Sequence, residues 1–107
     1  MSIDQTEVID FIEEDESGRI ILTVSDHLEW DETGEHSLLL QDKLNSYLRF
    51  IESGEIHDSY PNSLGKPVSI NIVFKYQPTE SGREFLSTVD NIIVGAAIGF
   101  KWSVLDA

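Results

Sequence analysis

SDHLEWDETGEHSLLLQDKLNSYLRFI, residues 25–51, holds the densest chemistry of the chain and its clearest amphipathic pattern. Leu40, Leu44, Tyr47, Leu48 and Ile51 recur at spacings of four, three, one and three. On a helix of about 3.6 residues per turn that spacing lays them along one face. Asp42, Lys43, Asn45, Ser46 and Arg49 then fall mainly on the opposite face. Asp31 or Thr33 offers a side-chain oxygen to the orphan N–H groups at the helix start. Glu32 and Glu35 lie where the helix dipole favours acids, and Gly54 suits a left-handed C-terminal cap. Leu38 and Leu39 widen the apolar stripe, so the helix is expected to be covered on two sides or partly buried by a partner.

Upstream, residues 4–13 alternate imperfectly, with Val8, Ile9, Phe11 and Ile12 among acids, and read as a strand. EEDESG at 13–18 is a turn with Gly18 available for positive φ. RIILTVS at 19–25 is a β-branched strand with Ile20, Leu22 and Val24 on one face. The short connection makes the two an antiparallel hairpin.

Downstream, residues 55–67 are rich in Pro, Asn, Ser and Gly and read as an irregular connection. Tyr60–Pro61 is expected to be trans. In residues 68–76, Val68, Ile70, Ile72, Phe74 and Tyr76 alternate with Ser69, Asn71, Val73 and Lys75, the pattern of a half-buried strand. Ser81 and Glu84 have capping-box spacing for a second helix. Its expected stripe is Phe85, Val89, Ile92, Ile93 and Ala96, and Gly99 ends it. Phe100, Trp102 and Val104 alternate in a last strand.

The order β-β-α-β-α-β predicts one α+β domain over 1–107: a two-layer sandwich whose mixed four-stranded sheet carries both helices on one face. The other sheet face would show Ile21, Thr23, Ser25, Ser69, Asn71, Val73 and Lys75, half of them polar. It is either solvated or covered by the second copy of a homodimer.

The net charge is −13, and it is unevenly spread. Residues 1–36 hold twelve Asp and Glu against Arg19 alone, whereas residues 37–107 hold eight acids against six bases. Nucleic acid and anionic membranes need cationic contacts, so neither is an expected partner. A basic protein or a divalent cation is attracted, although acidic surface also serves solubility alone. There are no cysteines, which excludes disulfides and thiolate metal sites and fits a reducing cytoplasm. No apolar run is long enough for a membrane span or a signal peptide.

Asp26, His27, Glu29, Trp30, Asp31, Glu35 and His36 form the candidate binding loop. Asp26, His27, Glu35 and His36 are its candidate metal ligands, since imidazole and carboxylate together suit zinc, manganese or iron(II). Their spacing matches neither HExxH nor an EF-hand loop. The plainer reading is a solvated loop at a helix start. No cysteine, GxSxG, P-loop or GxGxxG supplies a nucleophile or a nucleotide site. No cofactor is expected, with a divalent metal as the alternative. Trp30 is either an interface anchor or a lid folded back on the core. His57, beside Asp58, reads as a surface residue.

ILTVSDHLEWDETGEH (21–36), the Leu-rich helix after it and FIESGEI (50–56) resemble a family of small uncharacterised bacterial proteins, catalogued as a domain of unknown function. The resemblance runs from QTEVIDFI to FKYQP and beyond. It implies a single-domain bacterial protein and supplies no activity and no catalytic residue. The reading that follows is a non-enzymatic protein-binding module, with a basic protein as the candidate partner, as in an antidote to a basic toxin; a metal-dependent loop at 26–36 is the competing one.

Overall fold

A computed structural model describes residues 11–31 and 34–105. Strands β1 (Phe11–Glu14) and β2 (Ile20–Asp26) form the hairpin, with Gly18 at φ 88° in its turn. Helix α1 (Glu35–Glu52) follows, then a short helix α2 (Glu55–Ser59) and a 3₁₀ turn at Pro61–Ser63. Strand β3 (Val68–Phe74), helix α3 (Glu80–Gly95) and strand β4 (Gly99–Val104) complete the chain. The sheet order is β1-β2-β3-β4, antiparallel in the first pair and parallel in the next two. This is the expected mixed four-stranded α+β sandwich. The part of the first strand expected at 4–10 lies outside the described residues.

Period-two burial builds the core. Ile20, Leu22 and Val24 of β2 and Ile70, Ile72 and Phe74 of β3 are fully buried. In register, Ile20 lies beside Val68, Leu22 beside Ile70 and Val24 beside Ile72. Leu40, Leu44 and Tyr47 of α1 and Leu86, Val89 and Ile93 of α3 pack against the same cluster, so both long helices cover one sheet face. Each buried aliphatic side chain removed from water contributes about 1.5–3 kcal/mol. No helix among the described residues is long and apolar enough to cross a membrane.

The structure differs from the sequence reading at several points. Lys43, assigned outward by its charge, is fully buried, with its ammonium 5.6 Å from the Tyr47 ring centre. Helical geometry explains this: residue 43 is three after Leu40 and four before Tyr47, within the buried stripe. The cap of α3 is Thr79, whose Oγ1 accepts the Gly82 N–H at 3.1 Å, and not Ser81. The buried stripe of α3 is Gly82, Leu86, Val89 and Ile93. Phe85 is half-buried, and Ile92 and Ala96 are exposed, because each precedes the stripe by about 100° or trails its end. Tyr76 lies beyond the end of β3 and is exposed. Residues 55–67 are not wholly irregular, since Ile56 docks α2 into the core. The Tyr60–Pro61 bond is trans.

Candidate functional site

Asp26 ends β2 with its side chain on the core side, in register with Phe74. It is only 2% exposed, and its polar atoms are all occupied. Its backbone carbonyl accepts the Lys75 N–H at 2.9 Å, and Oδ1 accepts the Leu28 N–H at 3.1 Å, which turns the chain out of the strand. Oδ2 lies 2.5 Å from Nε2 of His36.

His36 sits in the first turn of α1 and is equally buried at 2%. Its Nδ1 lies 3.0 Å from the Glu29 carbonyl. A carbonyl only accepts, so Nδ1 carries a proton and donates. An N···O separation as short as that to Asp26 needs a proton between the two atoms. A hydrogen bond therefore joins the pair, and each ring nitrogen is committed. Such an imidazole has no nitrogen left to abstract a substrate proton or to ligate a metal. Buried and hydrogen-bonded at every polar atom, it ties the end of β2 to the start of α1 across ten residues.

Trp30 closes this joint. Its ring stacks on His36 at 4.0 Å between centroids and 24° between planes, and it tilts against Phe74 at 5.4 Å. Gly82 of α3 lies beneath it: a Cβ there would come within 2.7 Å of the indole. Trp30 thus couples the loop to α1, β3 and α3 at once, the arrangement of a lid on the core. Its Nε1 is buried and has no hydrogen-bond partner among the described residues. Asp31 accepts the Gly34 N–H at 3.2 Å just ahead of α1. The N-cap is Gly34 itself, at φ 86° and without a side-chain cap, so Asp31 supports the approach to the helix and does not cap it. Thr33 and Glu32 lie outside the described residues.

Of the seven candidate binding residues, Asp26, Trp30 and His36 converge into the fold, Asp31 is half-buried, and His27, Glu29 and Glu35 are exposed. Among the described residues no three His, Asp or Glu side chains gather in a metal-holding group. His57 is not a bare surface residue: its Nδ1 lies 2.8 Å from Oγ of the fully buried Ser63 and fixes the connection to β3.

A second feature was not singled out from the sequence. Between α1 and α3 runs a groove of about 270 Å³. Leu44 and Leu48 form one wall and Phe85, Val89, Ile92 and Ile93 the other, with Gln41, Asn45 and Thr88 at the edges. Ile92 is 60% exposed there. One turn beyond Leu48 lies Glu52, and one turn before Thr88 lies Glu84, both exposed. The groove is therefore apolar within, with uncharged polar side chains at its edges. The signal for it was the breadth of the two apolar stripes, each wider than a single covered face needs.

A model for a family of unknown function (DUF6572) matches residues 1–106. The chain belongs to that family. Neither the curated proteins nor the solved structures contain a match to it.

Proposed function

We propose that this DUF6572 member is a non-enzymatic protein-binding module that receives a basic amphipathic helix in the groove between α1 and α3. The observation that carries the reading is the apolar groove itself, open to solvent at the exposed Ile92. Helix-in-groove recognition uses apolar anchors spaced along one helical face. The net charge of −13 favours a cationic partner and speeds its approach. The buried Asp26–His36 pair offers no free nitrogen for acid–base chemistry, which leaves binding as the better-supported role.

The test uses two designed helical peptides of equal length, one of Leu and Lys and one of Leu and Glu, titrated calorimetrically at low and high salt. The Leu/Lys peptide is expected to bind, to weaken as salt screens the charges, and to be lost with Leu48→Ser or Ile92→Ser. Equal binding of both peptides, or Leu/Lys binding that survives both substitutions, overturns the assignment.

A further inference from the structure

We propose that the open face of the sheet holds the zwitterionic head of an α-amino acid with an apolar side chain. This site is independent of the helical groove and lies on the opposite face of the sheet.

The face combines both signs of charge in one cleft of about 340 Å³. Strand register places Ser69 beside Gly99 and Asn71 beside Lys101, one pleat apart. Arg19, just before β2, donates from Nη1 to Ser69 Oγ at 2.9 Å. Ser69 is buried, so it fixes the guanidinium in place. A Cβ at position 99 would collide with Ser69 Oγ and lie 3.2 Å from Arg19 Nη1, so glycine is what lets this arrangement form. Among the described residues neither Arg19 nor Lys101 is held in an ion pair. In a chain with twenty acids and seven bases, two such cations side by side are a specific feature.

The opposing charge comes from Asp15 in the β1–β2 turn. Its Oδ1 accepts from Ser17 Oγ at 2.7 Å, Arg19 N at 2.9 Å and Ser17 N at 3.0 Å. These bonds, the Ser17 hydroxyl first, hold its carboxyl below the usual range, so it stays ionised. Asn71 Oδ1 is shielded from solvent and accepts no hydrogen bond. An acceptor in that state gains from any N–H that reaches it. Asn71 itself is half-buried, beside the exposed Lys101 in the strand register.

This set selects a zwitterion. A simple anion meets Asp15, and a simple cation meets Arg19 and Lys101. An α-amino acid offers a carboxylate to the planar guanidinium and the ammonium of Lys101, and N–H donors to Asn71 Oδ1, while the ionised Asp15 at the other end of the cleft disfavours a bare anion. Its side chain then lies over Ile21, which borders the cleft on β2.

The experiment is a ¹H–¹⁵N titration of the full chain with L-leucine, 4-methylpentanoate and isoamylamine, the last two lacking one charge each. Leucine is expected to shift the amides of Asn71, Gly99 and Lys101 and to saturate at millimolar concentration. Each single-charge analogue should bind about tenfold or more weakly, the effect of one lost charge-assisted hydrogen bond. Arg19→Gln and Lys101→Gln should each weaken leucine by a similar factor. Lys101 is exposed and its side chain makes no hydrogen bond or ion pair among the described residues, so that variant carries the test even where Arg19→Gln perturbs folding. No localised shift with leucine, 4-methylpentanoate binding as tightly as leucine, or full leucine affinity in Lys101→Gln each overturns the proposal.

Discussion

The 26–36 loop and the α1–α3 groove invert what their residues advertise. The loop carries the histidines, the carboxylates and the tryptophan, yet Asp26 and His36 turn inward and hydrogen-bond one another, and Trp30 stacks over the pair. The groove is built from Leu, Val, Ile and Phe, residue types that fill cores, yet it leaves Ile92 in solvent. Chemical variety in a sequence is thus no guide to where a surface is free to bind. What decides is whether the neighbours already satisfy the group. If the contrast holds, loop substitutions cost stability, and groove substitutions cost binding at constant stability.

The largest expected effect is at Asp26. Removing one member of a buried pair leaves the other uncompensated, at a cost of about 3–5 kcal/mol. Asp26→Ala should lower unfolding free energy by that amount in urea. The double variant with His36→Ala should cost clearly less than the two single changes together, since the second removes a stranded partner. Additive losses would show that the two side chains are not coupled and would undo the description of the joint.

Trp30→Ala is next, at about 3 kcal/mol, the low end for aromatic truncation because the ring is only half-buried. Helical peptide binding by the folded fraction should be unchanged. A variant of native stability that no longer binds partners would instead make Trp30 an interface anchor. Gly82→Ala follows. Its Cβ would press on the indole, and overpacking of this kind costs about 1–3 kcal/mol. That loss should largely vanish when Trp30 is replaced by Leu; a loss that persists would locate the clash elsewhere.

The sheet was legible in the sequence because period-two alternation at 20–24 and 68–74 is dictated by the pleat itself. The last strand was legible for the same reason. The joint was half legible: the residues were visible, their direction was not. A cluster of Asp, His and Trp reads alike whether it faces water or closes on itself, and the Asp26–His36 contact joins residues ten apart through a loop. Lys43 misled for a similar reason, since its charge argued outward and its helical phase argued inward. On α3, the visible stripe of Phe85, Val89, Ile92 and Ile93 combined a core face with a groove face. Gly82 belongs to the buried face because of Trp30, a partner no local pattern reveals.

The smallest stability effect is expected in the groove, and it sharpens the contrast most. Ile92 is 60% exposed, so most of its apolar surface is already in water and little is lost when the side chain shrinks. Surface changes of this kind stay within about 0.5 kcal/mol. Position 92 is in the interior of α3, where serine is only slightly poorer than isoleucine as a helix former. Ile92→Ser should therefore leave the urea midpoint nearly where it was while abolishing capture of the Leu/Lys peptide. Leu48→Ser on the facing wall should cost more, because Leu48 is half-buried and packs on the core cluster. The difference between the two walls is informative. If Ile92→Ser destabilises as strongly as Leu48→Ser, the groove is closed in solution, and its floor belongs to the core and not to a partner.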